Sequence, residues 1–228
     1  MQAEEVSFPS HSATHIDAPC HFAKGKWSIA DIPHDHLIDR PIAVVDVSQQ
    51  CLSNRDYEAT VDDVKEWESV NGKLPEDSVL IIKTGWARFW PIKLDYFGTE
   101  GNDPEQAHYP GVSGALAEWL VENRKIVGLG IDGPSVDSAK SKTKPTHRIM
   151  GERNIYNIEN IAKSVHKLPP TGTKLIALPL KVTGASGTPA TIVAYYSGVN
   201  HLIANAKLLL TCMIIIFCGY LYPRFNLN

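Results

Sequence analysis

His11-Ser12-Ala13-Thr14-His15-Ile16-Asp17-Ala18-Pro19-Cys20-His21 gathers three of the chain's nine histidines and one aspartate into a single short stretch. Imidazole nitrogen and carboxylate oxygen are the usual protein ligands of zinc and related divalent ions, so the segment reads as part of a metal site. The chemical groups occupy positions 11, 15, 17 and 21, with small Ala13 and Pro19 filling the same parity. That alternation builds one face of an extended chain. A helix would turn Asp17 about 200 degrees away from His15, and Pro19 would interrupt its hydrogen bonds. A straight strand fails as well, because it would hold His11 and His15 roughly 13 Å apart. The spacing therefore predicts a tight bend near Ser12 and Ala13 that returns His11 toward His15. An extended piece then carries Asp17 and presents His21. Further ligands must come from elsewhere in the chain.

Around this segment lie 228 residues, 43% hydrophobic and 21% charged, the balance of one globular domain with a substantial core. Lys and Arg number 22 against 25 Asp and Glu, a net charge of -3, and no basic run appears, which argues against nucleic acid as a partner. Cys20, Cys51, Cys212 and Cys218 form neither a Cys-x-x-Cys pair nor a disulfide framework, so reduced thiols are expected. Met1 to Val6 holds Glu4 and Glu5 and no apolar run, which is not a secretory signal. A cytoplasmic protein is the expectation.

Strands and helices alternate along the sequence. Pro41 to Val47 and Val79 to Thr84 are short apolar runs that read as buried strands. Between them, Thr60 to Val70 spaces Val61, Val64, Trp67 and Val70 by three, with Thr60 as cap and Asp62 and Asp63 in the first turn. Ser113 to Asn123 reads as another helix and Ile126 to Ile131 as a strand ending at Asp132-Gly133-Pro134. Lys174 to Val182 and Thr191 to Tyr196 read as closing strands, parted by a turn at Gly184 to Pro189. The order implies an α/β layered domain. From Gly85 to Pro110 a long irregular stretch carries Trp86, Phe89, Trp90, Tyr96, Phe97, His108 and Tyr109. Loops of this length usually line a site; the rings either wall a pocket or pack the loop onto the body.

The first motif, followed in order by Thr84-Gly85-Trp86, Tyr109-Pro110-Gly111, Gly130-Ile131-Asp132, Thr146-His147-Arg148, Glu159-Asn160-Ile161 and Leu178-Pro179-Leu180, resembles the cyclase family of metal-dependent hydrolases. That family includes bacterial kynurenine formamidases and isatin hydrolases, and the likeness runs from about residue 7 to 196. The resemblance implies a swivelling β/β/α fold with a mixed sheet over 1-197, and leaves 198-228 as an apolar tail outside the family pattern. It implies one or two divalent ions, zinc or manganese, a homodimer or tetramer, and hydrolysis of cyclic or aryl amides. Position by position it makes His11, His15 and Asp17 ligands of a first ion, with Asp17 able to bridge to a second held by His147 and Glu159. It makes His21 the catalytic acid and base.

Alone, His147 would read as a surface histidine and Glu159 as a charge on a helix face; only their order after the first motif raises them. His34, His36, His108, His166 and His201 have no such support and are expected to be solvated or to serve packing. The chemistry agrees with the assigned roles: a bound divalent ion lowers the pKa of water from about 15.7 to about 7 and polarises a carbonyl. An imidazole of ordinary pKa about 6.5 can shuttle the proton to a leaving nitrogen. The most concrete activity is that of an arylformamidase, converting N-formylkynurenine to kynurenine and formate in tryptophan catabolism. An isatin-type cyclic amide or lactone hydrolase is the alternative within the enzyme class, and a metal-binding but non-catalytic isoform is the alternative outside it.

Three features depart from the family pattern. Ala13 stands where glycine is usual, at a strain of about 1 kcal/mol if the backbone is left-handed there. Only ten residues precede His11, so an edge of the sheet is expected to be uncovered. Beyond Tyr196, Leu208 to Tyr222 runs fifteen residues without a charge between Lys207 and Arg224. It reads as a buried C-terminal helix, or as a short membrane anchor through 208-222, or as sequence from an alternative transcript.

Overall fold

The computed structural model describes residues 2–196 and the backbone of 214–217. Its sheet is built on β2 (Ile38–Asp46), β4 (Ser78–Lys83), β6 (Ile126–Ile131) and β7 (Tyr156–Glu159), which lie side by side in parallel. Three further strands join antiparallel: β1 (His15–Asp17) on β7, β8 (Thr173–Pro179) on β2, and β9 (Gly187–Tyr196) on β8. Because β1 also pairs with β9, the order β1-β7-β6-β4-β2-β8-β9 returns to its start and the mixed sheet closes like a barrel. β3 (Glu58–Ala59) and β5 (Gly111–Val112) form a separate two-stranded pair.

The central strands are apolar at successive positions because both of their faces are covered, the mark of a parallel sheet between two layers. Ile42, Val44, Val79 and Ile81 point into a cluster with Ile16, Ile158, Leu175, Ile192 and Ala194, to which strands all around the closed sheet contribute. Their neighbours Ala43, Val45, Leu80 and Ile82 point the other way, into a cluster with Val64 and Trp67 of α3 (Val61–Asn71) and Leu116 and Leu120 of α5 (Gly114–Asn123). Within the closed sheet Gly128 of β6 lies against the ring of Tyr156, where a Cβ would stand 2.6 Å from Cζ.

Both helices start where their sequences place the caps. Thr60 accepts from the Asp63 amide and the Asp63 carboxylate accepts from the Thr60 amide, a reciprocal capping box. Ser113 caps α5 through the Leu116 amide. The remaining helices, α1 (His34–Leu37), α2 (Ser48–Ser53), α4 (Lys93–Phe97) and α6 (Pro145–Glu152), are short. The stretch from Gly85 to Pro110, expected to be irregular, contains 3₁₀ turns at Trp86–Phe89 and Pro104–Gln106 together with α4. Each is too brief to show a helical repeat. Gly85, at φ 75 degrees, precedes the first turn, and Gly98, at φ 76 degrees, ends α4. α6 begins with Pro145 at its first helical position after left-handed Lys144, and its eight residues bury Thr146, His147, Met150 and Gly151 on one face.

The expectation of a C-terminal helix is overturned where the tail is described. Ile214–Phe217 is a strand, β10, antiparallel to β9 with Ile214 opposite Tyr195 and Phe217 opposite Ile192. A run of three β-branched isoleucines favours that conformation. β1 covers β9 only at Gly187 to Pro189, so β10 pairs a part of β9 that β1 does not reach. The expected open edge is therefore occupied there. The rest of 208–222 lies outside the described residues, and no described helix is long and apolar enough to cross a membrane. Cys20 and Cys51 are free thiols, as expected, while Cys212 and Cys218 lie outside the described residues.

Replacing Thr60 by Ala removes the cap of α3 and is expected to lower unfolding stability by about 1 kcal/mol. Urea denaturation should show this as a lower midpoint at unchanged slope.

Candidate metal centre

Strand register assembles the site. In β1, His15 and Asp17 share one face, and Ile16 between them faces the core. Opposite His15 stands Glu159 of β7, and opposite Asp17 stands Gly187 of β9. Residues directly opposite in an antiparallel pair lie about 4.5–5.5 Å apart at Cβ, so His15 and Glu159 meet: Nε2 of His15 is 3.4 Å from Oε2 of Glu159. Gly187 leaves open the place into which the His11 ring swings, and any Cβ there would collide with that ring. The bend that brings His11 back is at Ala13, with φ 56 degrees, as the spacing requires. His147 arrives from α6, with Nε2 3.1 Å from Oδ2 of Asp17 and 3.1 Å from Oε1 of Glu159.

The result is two triads joined through one carboxylate. Ligand atoms of His11, His15 and Asp17 lie within 4.8 Å of one another, and so do those of Asp17, His147 and Glu159. The five residues singled out in the sequence are thus brought together. Tetrahedral ligands on bonds of about 2.1 Å are separated by about 3.4 Å. Four of the spacings here, 3.1 to 3.4 Å, fall at or just inside that value, while His11 Nδ1 and Asp17 Oδ1, at 2.5 Å, are in direct hydrogen-bond contact and would move apart around an ion.

The nitrogens that face away from the centre are also occupied. His15 Nδ1 lies 3.0 Å from the Ala13 carbonyl, His147 Nδ1 lies 2.6 Å from Oδ2 of Asp137, and His11 Nε2 lies 2.9 Å from Ser186 Oγ. An imidazole held on its outer nitrogen by an acceptor presents the other nitrogen in fixed tautomer and orientation, as metal-ligating histidines do. The donor set and its surroundings therefore fit a divalent ion.

Asp17 and Glu159 are both buried. Burial alone would raise their pKa values, yet hydrogen bonds from His11, His147 and His15 to Asp17, and from His147 and His15 to Glu159, keep both carboxyls below the ordinary range. Glu159 accepts in addition from the Val136 amide. Conversely, burial would lower His15, but Asp17 and Glu159 outweigh it and raise the imidazole to about 10. His147 is raised by Asp137, Asp17 and Glu159 against the same opposing burial. Without a cation the centre holds its charges together by retaining protons.

His21 closes a 3₁₀ turn (Pro19–His21) and is not part of the hydrogen-bonded cluster. Its ring stacks on His11 with centroids 4.1 Å apart and meets His147 edge-on at 5.9 Å. Partial burial holds it below the usual imidazole value, and His11 and His147 push the same way against the pull of Asp17. It is therefore neutral near pH 7 and exposed to solvent on one side.

A cavity of about 390 Å³ opens beside His11 and Ala13, walled by Trp90, Tyr96, Phe97 and Ile161. The aromatic stretch thus divides. Trp90, Tyr96 and Phe97 line the cavity, whereas Trp86 is buried and stacks edge-on with Phe89. Two histidines read as solvated or packing prove paired: His108 with Asp56 at 2.7 Å and His166 with buried Asp132 at 3.3 Å. Each partner is distant in sequence, so no local pattern marks it. His36 packs edge-on against Trp27, and His201 lies outside the described residues. Asp137, Ser186 and Gly187 were not singled out at all. Asp137 was the most legible of these, as the second aspartate of Asp132-Gly133-Pro134-Ser135-Val136-Asp137.

A family model for Cyclase matches residues 2–138. Isatin hydrolase of Roseibium aggregatum is 28% identical over 186 residues, covering 78% of this chain and 69% of the relative. Kynurenine formamidase of Salinibacter ruber is 29% identical over 185 residues, covering 79% and 73%. Among solved structures, isatin hydrolase A from Labrenzia aggregata bound to benzyl benzoate superposes with a TM-score of 0.76 at 29% identity, covering 83% of this chain and 75% of the other.

Three outcomes are expected for the centre. Asp137→Asn should weaken divalent-ion affinity about 10- to 100-fold, the usual cost of losing the carboxylate behind a ligating histidine. Gly187→Ala should displace His11 and weaken the first triad, read by zinc titration against a competing chelator. The carboxylates beside His15 and His147 favour their protonated forms in the metal-free protein, and an ion must displace those protons. Calorimetry in buffers of different ionisation enthalpy should register proton release on loading, with affinity falling as pH falls.

Proposed function

The chain belongs to the Cyclase family, and from that premise we propose that it is a metal-dependent amide hydrolase, most concretely an arylformamidase that converts N-formylkynurenine to kynurenine and formate. Hydrolysis of amide bonds is the activity its named relatives support. The observation that carries the reading is the pair of triads sharing Asp17, flanked by His21 and reached by an aromatic cavity through His11, which lines it.

In this reading His11, His15 and Asp17 hold one divalent ion, zinc or manganese, and Asp17, His147 and Glu159 hold a second. When bound, such an ion acidifies water and polarises a carbonyl. The chain's own groups do the rest. His21 takes a proton from the attacking water and returns it to the amide nitrogen as the carbon–nitrogen bond breaks, so water and formanilide become aniline and formic acid, which leaves as formate and a proton. Trp90, Tyr96 and Phe97 hold the aryl ring and exclude water from one side of it. Asp137, Ser186 and the Ala13 carbonyl fix the three ligand rings.

A second reading, an isatin-type hydrolase that opens a cyclic amide, is favoured by the relatives named isatin hydrolase, one of them solved with the product analogue thioisatinate. The same residues serve it. We further propose assembly as a homodimer or tetramer; Leu178, Leu180 and Val182, exposed from the end of β8 onward, supply apolar surface for it, and light scattering measures it.

The test is hydrolysis of N-formylkynurenine and of isatin by protein loaded with zinc or manganese, for wild type and His21→Ala. The expected result is turnover of N-formylkynurenine by wild type, with a loss of about 10²–10⁴-fold in His21→Ala at unchanged metal content. Turnover of isatin alone selects the second reading. A protein that binds metal stoichiometrically and hydrolyses neither is a metal-binding protein without this activity.

A further inference from the structure

Asn160 follows the proposed ligand Glu159 in a left-handed conformation, φ 53 degrees, and the surrounding groups fix it on three sides. Its amide donates to the Gly133 carbonyl at 2.9 Å, and its carbonyl accepts from Thr14 Oγ1 at 2.6 Å. Its side-chain Oδ1 accepts from the Tyr96 hydroxyl at 2.7 Å. Tyr96 is buried, and burial raises its phenol well above the usual value, so the hydroxyl keeps its proton. A buried hydroxyl proton without an acceptor would be costly. The Tyr96 proton therefore goes to Asn160, which sets Oδ1 toward Tyr96 and Nδ2 away from it.

Among the described residues nothing accepts from Nδ2. That group is not among the buried polar atoms left without a partner, and half-buried Asn160 lines the cavity beside His11. The cavity wall is otherwise largely apolar, with Trp90, Phe97 and Ile161. A backbone held in left-handed conformation next to a ligand residue, with its side chain oriented by a second residue, is the kind of strain that structures keep where geometry matters.

We propose that Asn160 Nδ2 donates a hydrogen bond to a ring-attached ketone oxygen of the substrate, and that Tyr96 is the positioning residue that aims it. This rests on the hydrolase reading. The substrate class is an aryl amide with a carbonyl group ortho to the amide nitrogen, a feature common to N-formylkynurenine and isatin. The amide lies at the two triads, the ring lies between Trp90 and Phe97, and the ortho ketone meets Asn160.

The test compares ortho-formamidoacetophenone, which carries the ketone, with formanilide, which lacks it, in wild type, Asn160→Gly and Tyr96→Phe. Glycine keeps the left-handed backbone without steric cost. The preference in kcat/KM for the ketone-bearing amide should fall about five- to tenfold in Asn160→Gly, the size of one lost hydrogen bond. The change should lie mainly in KM. Tyr96→Phe, which frees the amide to rotate, should give a smaller fall in the same direction. An unchanged preference, or equal slowing of both substrates, overturns the proposal.

Calorimetry on the metal-loaded protein with ortho-aminoacetophenone and aniline decides it independently of turnover. Tighter binding of the ketone that disappears in Asn160→Gly supports the assignment, and tighter binding that persists, or none in wild type, contradicts it. If neither amide is hydrolysed by wild type, the hydrolase reading fails and calorimetry alone judges Asn160.

Discussion

The structure depends on the register of a three-residue strand. β1 lies between β7 and β9, closing the sheet through Ile16 on one face and presenting His15 and Asp17 on the other. Because side chains alternate with a period of two, a slip of one residue would exchange the faces, sending the ligands into the apolar cluster and Ile16 into the site. Closure of the fold and assembly of the site are thus one event. The pairing of His15 with Glu159, and of Asp17 with a glycine that leaves room for His11, follows from the same register.

Burying two carboxylates side by side is unfavourable unless positive charge accompanies them. His15 and His147, both raised by the carboxylates beside them, answer that need, and the rings of His15, His11 and His147 are anchored on their far sides by a carbonyl, a hydroxyl and a carboxylate. That anchoring fixes which nitrogen points inward before any ion arrives, so little reorganisation is needed on binding. Left-handed Ala13 serves here too, since the same bend that returns His11 also delivers the carbonyl that holds His15. The strain expected of alanine there is offset by these two contacts.

Much of this was legible in the sequence. The odd-position pattern gave the face, the impossibility of a straight strand gave the bend at Ala13, and Thr60 and Ser113 marked the helix starts. Distant His147 and Glu159 were legible only through motif order, because eight-residue α6 and four-residue β7 are too short for their patterns to stand out in the sequence. What stayed hidden is what topology decides: Asp137 behind His147, Gly187 beneath His11, Asp132 beside His166, and the Tyr96 to Asn160 bond. Each joins residues that only the folded chain brings together, with no local pattern to mark the pair. The tail misled for a related reason, since the length of its apolar run suggested a helix although its isoleucines favour a strand, and only the free stretch of β9 decides for the strand.

The central claim is that the register of β1, together with the bend at Ala13 and the placement of α6, builds one divalent-ion centre from five residues of three separate segments. Anomalous diffraction from crystals loaded with zinc, recorded on both sides of the zinc absorption edge, tests it most directly. The account predicts anomalous density bounded by His11, His15, Asp17, His147 and Glu159, with Asp17 touching every ion present. Fully loaded crystals with no density at Asp17, or with zinc held only by other residues, would contradict it.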